Sequence, residues 1–155
     1  MGLKISYLLL ETLLEMIDLY DPSELESKNI KLKIKSENTK GANYLLYYKE
    51  YIYEVVILKG QDGYLLGFGD ITDGKDLDMT TLTNRDSTPR ILSALFGLLR
   101  RYVDTFNVNS FYYDVDGELR KKLYNFYLNK HFKDFKLDQM IDNEDSTQTY
   151  IWKKI

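Results

Sequence analysis

The chain contains no cysteine, two prolines, one tryptophan and one histidine in 155 residues. The lack of cysteine excludes disulfides, thiolate metal ligands and a cysteine nucleophile, and it fits a reducing compartment. A lone histidine, His131, excludes multi-histidine metal centres. Ser87, Ser93 and Ser110 have no nucleophile-elbow pattern around them, and neither a Walker-type phosphate loop nor a dinucleotide fingerprint occurs. Neither sign of charge is in large excess. The formal net charge of -3 gives no general attraction to nucleic acid or to anionic membranes. Long apolar runs are missing too: Tyr7-Leu8-Leu9-Leu10 is far shorter than a membrane span. Glu11 and Glu15 interrupt the first apolar stretch, which leaves no signal-peptide layout, so the cytosol is the expected compartment.

What is present reads as one globular domain over residues 1–155. Hydrophobic residues make up 44% and charged residues 29%, ordinary proportions for a folded chain. A domain of this length buries roughly 70% of the surface its unfolded chain exposes. The 14 tyrosines and 7 phenylalanines stand out, because a tyrosine buries a large ring while its polar tip still needs a partner.

Apolar spacing of three and four predicts an amphipathic helix over residues 3–19, ended by Asp21-Pro22. Residues 29–36 alternate, with Ile30, Leu32 and Ile34 on one face and Lys31, Lys33 and Lys35 on the other, which predicts a half-buried strand. Residues 44–58 read as one extended stretch. Gln61-Asp62-Gly63 supplies turn chemistry, and residues 64–71 return as a strand. Residues 72–86 read as a polar loop. Thr88 as N-cap and Pro89 at the first helical position start a long helix to Phe106, whose stripe includes Leu92, Leu95, Phe96, Leu99, Tyr102 and Val103. Its opposite edge carries Arg100, Arg101 and Asp104. A strand over residues 108–115, a helix over 118–131 and strands over 135–141 and 147–152 complete the chain. The expected fold class is α/β (α+β), a mixed sheet flanked by helices in the order α-β-β-β-α-β-α-β-β.

That order, together with the helix that carries Arg120-Lys121-Lys122-Leu123-Tyr124, resembles the GNAT acyltransferase superfamily from about residue 51 onward. Two stretches also resemble a family of small bacteriophage proteins: Gly67-Phe68-Gly69-Asp70 followed by a polar loop and a helix from Thr88, and Phe111 through Tyr124. The GNAT resemblance implies acetyl-CoA held by backbone amides of a Gln/Arg-x-x-Gly-x-Gly/Ala loop at the start of the long helix, where helix-terminal donors and the dipole hold a pyrophosphate. The matching positions here are Arg85, Ser87, Thr88 and Arg90. Arg85 fits the pattern, but Thr88 and Arg90 replace both glycines, Pro89 removes a donor, and Asp86 sets a negative charge beside the expected anion. Arg85 and Arg90 are either side-chain phosphate contacts or solvated residues of a capped helix start. The resemblance also implies a general acid at Tyr124, and a base at Asp70 or Asp114, each at a strand end. Packing and turn roles for the same residues stand beside these.

The altered loop and the phage resemblance imply a non-catalytic protein of bacteriophage origin that binds a host or virion protein, in the host cytoplasm or the virion. A small-molecule ligand stays open, and neither a cofactor nor a membrane is expected. The alternative is an acetyl-CoA-dependent N-acyltransferase. Asp70, Asp73, Asp76 and Asp78 do not reproduce a calcium-loop spacing and read as a solvated acidic loop, so no metal is expected. Arg120, Lys121, Lys122, Lys130 and Lys133, with Tyr112, Tyr124 and Tyr127, make either a nucleic-acid contact or a solvated helix face, and the net negative charge favours the second. His131, at a helix C-terminus, reads as a cap whose imidazolium suits the dipole.

Overall fold

The computed structural model describes residues 29–74, 88–116 and 118–155. The helix expected over residues 3–19 lies outside them, as do Asp76, Asp78, Arg85, Asp86 and Ser87. The described elements are β1 (Ile30–Asn38), β2 (Gly41–Tyr48), β3 (Tyr51–Lys59), β4 (Tyr64–Asp70), α1 (Thr88–Phe106), β5 (Ser110–Val115), α2 (Glu118–His131), β6 (Phe135–Asp142) and β7 (Gln148–Lys154). They form an α+β unit around a mixed seven-stranded sheet of order β1-β2-β3-β4-β5-β7-β6.

Residues 44–58 are not one strand. The chain reverses at Lys49-Glu50, and Tyr48 pairs with Tyr51 across a two-residue turn. Lys49 takes a φ of 54°, a left-handed value that lysine seldom adopts, so no glycine or asparagine marks the turn in the sequence. The described residues therefore run β-β-β-β-α-β-α-β-β. Gly41, the first residue of β2, is required by space: its φ is 145°, and a Cβ there would meet the Ile57 carbonyl oxygen at 2.0 Å.

Strand alternation sends Tyr44, Leu46, Val55, Ile57, Leu66, Phe68, Phe111, Tyr113 and Trp152 into the core. Leu95 and Phe96 of α1 meet Val55, Leu66 and Phe68, and Tyr124 of α2 meets Phe68 and Tyr113. Both helices thus pack on one face. Burial on α1 is wider than the predicted stripe, because Ile91, Ala94 and Leu98 are buried along with it. Each large apolar side chain among these, such as Ile91 or Leu98, contributes about 1.5–3 kcal/mol on full burial. On β1 burial fades along the strand: Ile30 is buried, whereas Ile34 is 45% exposed. No helix among the described residues is long and apolar enough to cross a membrane.

Candidate functional site at the divergence of β4 and β5

Every neighbouring pair of strands runs antiparallel except β4 and β5. These two are parallel and pair only through Tyr64 with Phe111 and Leu65 with Tyr112, although β4 continues to Asp70 and β5 to Val115. Beyond Leu65 and Tyr112 the sheet opens into a wedge.

An aromatic cluster lies over it. The ring of Tyr124, presented by α2, lies 5.5 Å from Phe68 of β4, 4.9 Å from Tyr113 of β5 and 5.4 Å from Phe96 of α1. Edge-on and tilted ring contacts of this kind add about 0.5–1.5 kcal/mol each beyond burial. Phe96 also stacks on Tyr127 at 4.9 Å, and the Tyr127 hydroxyl meets Ser93 Oγ at 3.3 Å. Trp152 Nε1 donates to the Tyr113 hydroxyl at 3.1 Å. Burial pushes the Tyr113 and Tyr127 hydroxyls well above the usual phenol range, with the Trp152 and Ser93 hydrogen bonds opposing it. Both stay protonated at any physiological pH.

The proposed acid and the two proposed bases sit in different surroundings. Tyr124 is 2% exposed within the cluster. Asp70 closes β4, where its Oδ1 accepts from Thr72 N at 2.8 Å and from Thr72 Oγ1 at 2.5 Å. Thr72 Oγ1 in turn accepts from Ile52 N at 2.9 Å, which ties the turn after β4 back to β3. Asp114 alternates with Tyr113 on β5 and so projects on the face away from Tyr124. Its Oδ1 accepts from Thr149 Oγ1 at 2.5 Å, and Asn143 Nδ2 donates to the same Thr149 oxygen at 2.9 Å. Of the expected cofactor loop, Arg85 and Ser87 lie outside the described residues, while Thr88 and Arg90 fall in the first turn of α1.

Arg100, read from the sequence as part of a polar helix edge, is a largely but not fully buried organising residue with a side chain 11% exposed. Its guanidinium donates to Asp104 at 2.6 and 3.2 Å and to Asp134 at 2.5 and 2.8 Å, and it lies 4.8 Å from the Phe132 ring centre. The fork geometry of guanidinium suits two carboxylates at once. The hydrogen bond from Arg100 holds the Asp134 carboxyl below its ordinary range, whereas burial and the Asp134 charge hold Asp104 above it. The i, i+4 spacing of Arg100 and Asp104 was a visible signal; the distant partner Asp134 was not. Glu37, which carried no signal, accepts from the Tyr44 hydroxyl and from Arg101 at 3.2 Å. Beside it the Tyr102 hydroxyl donates to the Asn38 carbonyl at 2.6 Å, and burial pushes the Tyr102 pKa up to about 12.

His131 corrects the expectation of a charged helix cap. Burial and the charges of Lys130 and Lys133 hold its pKa below the ordinary value, so the neutral imidazole is favoured. The basic side of α2 is not an aromatic platform for bases either, because Tyr124 and Tyr127 are 2% and 0% exposed. Asp145 serves its turn by accepting from Thr147 N at 3.1 Å and Thr147 Oγ1 at 2.6 Å. Among the described residues no group of histidine and carboxylate side chains is arranged to hold a metal ion. Comparison of the chain with models of protein families gives no match, and comparison with curated proteins gives none.

Proposed function

We propose that this chain is a GNAT-like domain of bacteriophage origin that acts by binding a host or virion protein rather than by transferring an acetyl group. The strand order, with one parallel junction that opens after two residue pairs and both described helices on one face, supports the GNAT-like reading. The phage origin rests on the Gly67-Phe68-Gly69-Asp70 and Phe111-to-Tyr124 resemblance. The observation that carries the non-catalytic reading is the seat of Tyr124. Its ring packs against Phe68, Phe96 and Tyr113 over the opening, where an acyltransferase would thread its cofactor between splayed strands. At 2% exposure, Tyr124 is poorly placed to protonate a departing thiolate at an open site. The sequence at the start of α1, with Pro89 in place of an amide donor and no glycine, points the same way.

Thermal-shift and calorimetric titration with acetyl-CoA test this reading. Neither stabilisation nor heat is expected at millimolar cofactor. Saturable stabilisation would overturn it, since a ligand that binds only the native state raises the melting temperature by mass action. Mass spectrometry of virions from a phage that carries the gene then separates a virion component from a host-directed factor. The alternative, an acetyl-CoA-dependent N-acyltransferase with Tyr124 as acid and Asp70 or Asp114 as base, is supported by the β4–β5 divergence itself. On that reading Tyr124→Phe abolishes transfer.

A further inference from the structure

The two outer strands of the sheet are built differently. β1 carries Lys31, Lys33 and Lys35 exposed at alternate positions, a row of one charge that discourages a foreign strand. β6 pairs only with β7 among the described residues and is exposed at every position after Phe135. Its exposed positions include Leu137 at 37%, Met140 at 60% and Ile141 at 43%. A sheet edge with unpaired backbone groups and large apolar side chains is a template for strand addition.

Two features of β6 select what adds to it. The first is a bulge between Leu137 and Gln139 that resets the alternation. Leu137 lies opposite Trp152 and Met140 opposite Tyr150, so these two apolar residues share one face of the sheet despite odd spacing. The second is charge. Lys136 stands exposed at the start of the strand and Lys133 in the turn before it, while Asp142 stands exposed at its end and Glu144 and Asp145 in the turn after it. A strand polarised this way repels a parallel copy of itself and complements an antiparallel one. A two-fold axis brings the basic start of each copy onto the acidic end of the other.

We propose that β6 is a homodimer edge, on which a second copy of this chain adds its own β6 antiparallel to form one continuous sheet. One register keeps matching faces together across the new pair. It sets Leu137 against Met140 of the second copy and Lys136 against Ile141 of the second copy, and it brings Lys133, in the turn before the strand, toward Glu144 in the turn after the strand of the second copy. The bulge is what makes this register self-consistent, because without it Leu137 and Met140 would point to opposite faces.

Sedimentation velocity of the full chain over a concentration series tests the proposal, with far-UV circular dichroism to verify that each variant is folded. A closed dimer in reversible equilibrium with monomer is expected. Met140→Lys, at an exposed edge position, weakens it by roughly tenfold or more. Lys133→Glu and Glu144→Lys each weaken it by roughly tenfold, since symmetry counts every reversed pair twice. The double exchange Lys133→Glu/Glu144→Lys restores the original affinity, because it rebuilds both pairs with the signs reversed. A monomer at all concentrations, an open series of larger oligomers, or a dimer indifferent to Met140→Lys or to the charge exchange overturns it.

Discussion

Trp152 Nε1 donates to the Tyr113 hydroxyl at 3.1 Å, across a diagonal of the β5–β7 pair in which Tyr113 itself faces Tyr150 and Trp152 faces Phe111. Both side chains are buried, at 3% and 1% exposure, so the bond forms where water cannot replace it. Trp152→Phe and Tyr113→Phe should each cost about 1–3 kcal/mol, the range for leaving one buried polar partner unsatisfied. The double variant should lose less than the sum of the two. Urea unfolding of the four proteins in a double-mutant cycle measures the coupling, and strict additivity would show that the bond contributes nothing.

Tyr124→Ala should cost roughly 3–5 kcal/mol, because it empties a site walled by Phe68, Phe96 and Tyr113 that cannot collapse without moving both strands. The check is the urea midpoint at unchanged slope. A loss below about 1 kcal/mol would mean that the wedge is not held by this ring.

The Arg100 fork makes acid stability depend on Asp134. Its carboxyl titrates lower in the folded chain than unfolded, so the stability it contributes is present above the unfolded pKa and is lost as pH falls below about 4. Asp134 is 37% exposed, and solvent screening keeps the contribution to about 1 kcal/mol or less. Asp134→Asn should flatten this part of the acid limb. Asp104 is shifted the other way, so Asp104→Asn should steepen it. Thermal melts between pH 5 and 3 read both slopes.

His131 adds a second pH window. With the folded pKa below the ordinary imidazole value of 6.5, the unfolded chain binds the extra proton, and stability therefore falls as pH drops through and below that value. His131→Gln should remove this slope between pH 7.5 and 5.5 and leave the Asp134 limb in place. An unchanged slope in the variant would assign the effect to other groups.

Much of this architecture was written in local patterns. Thr88-Pro89 announced α1 because a capping hydroxyl and a preset φ act on the nearest turn alone, and the helix does begin there. The alternation of Phe111, Tyr113 and Val115 likewise gave the buried face of β5. The reversal at Lys49-Glu50 was hidden, since tertiary pairing forces the left-handed Lys49 rather than any local preference. The site was less legible. That Tyr124 would be a packed ring depended on Phe68, Phe96 and Tyr113 arriving from three other elements. The Arg100–Asp134 contact spans 34 positions, and no spacing rule reaches that far. Asp70 and Asp114 looked alike as strand-end carboxylates, but alternation on β5 turned Asp114 to the other face.

Because only Tyr64–Phe111 and Leu65–Tyr112 stitch β4 to β5, the sheet is mechanically two panels joined by a short seam. The β1–β4 meander is one panel and the β5–β7–β6 ribbon the other, each laced along its length by its own backbone ladder. What keeps the panels from swinging apart is side-chain matter: Phe96 and Tyr124 above the opening, and the Arg100 clasp on Asp134 at the far panel's edge. Cohesion across the seam thus rests on ring volume and an ion pair, whereas cohesion within each panel rests first on its backbone ladder.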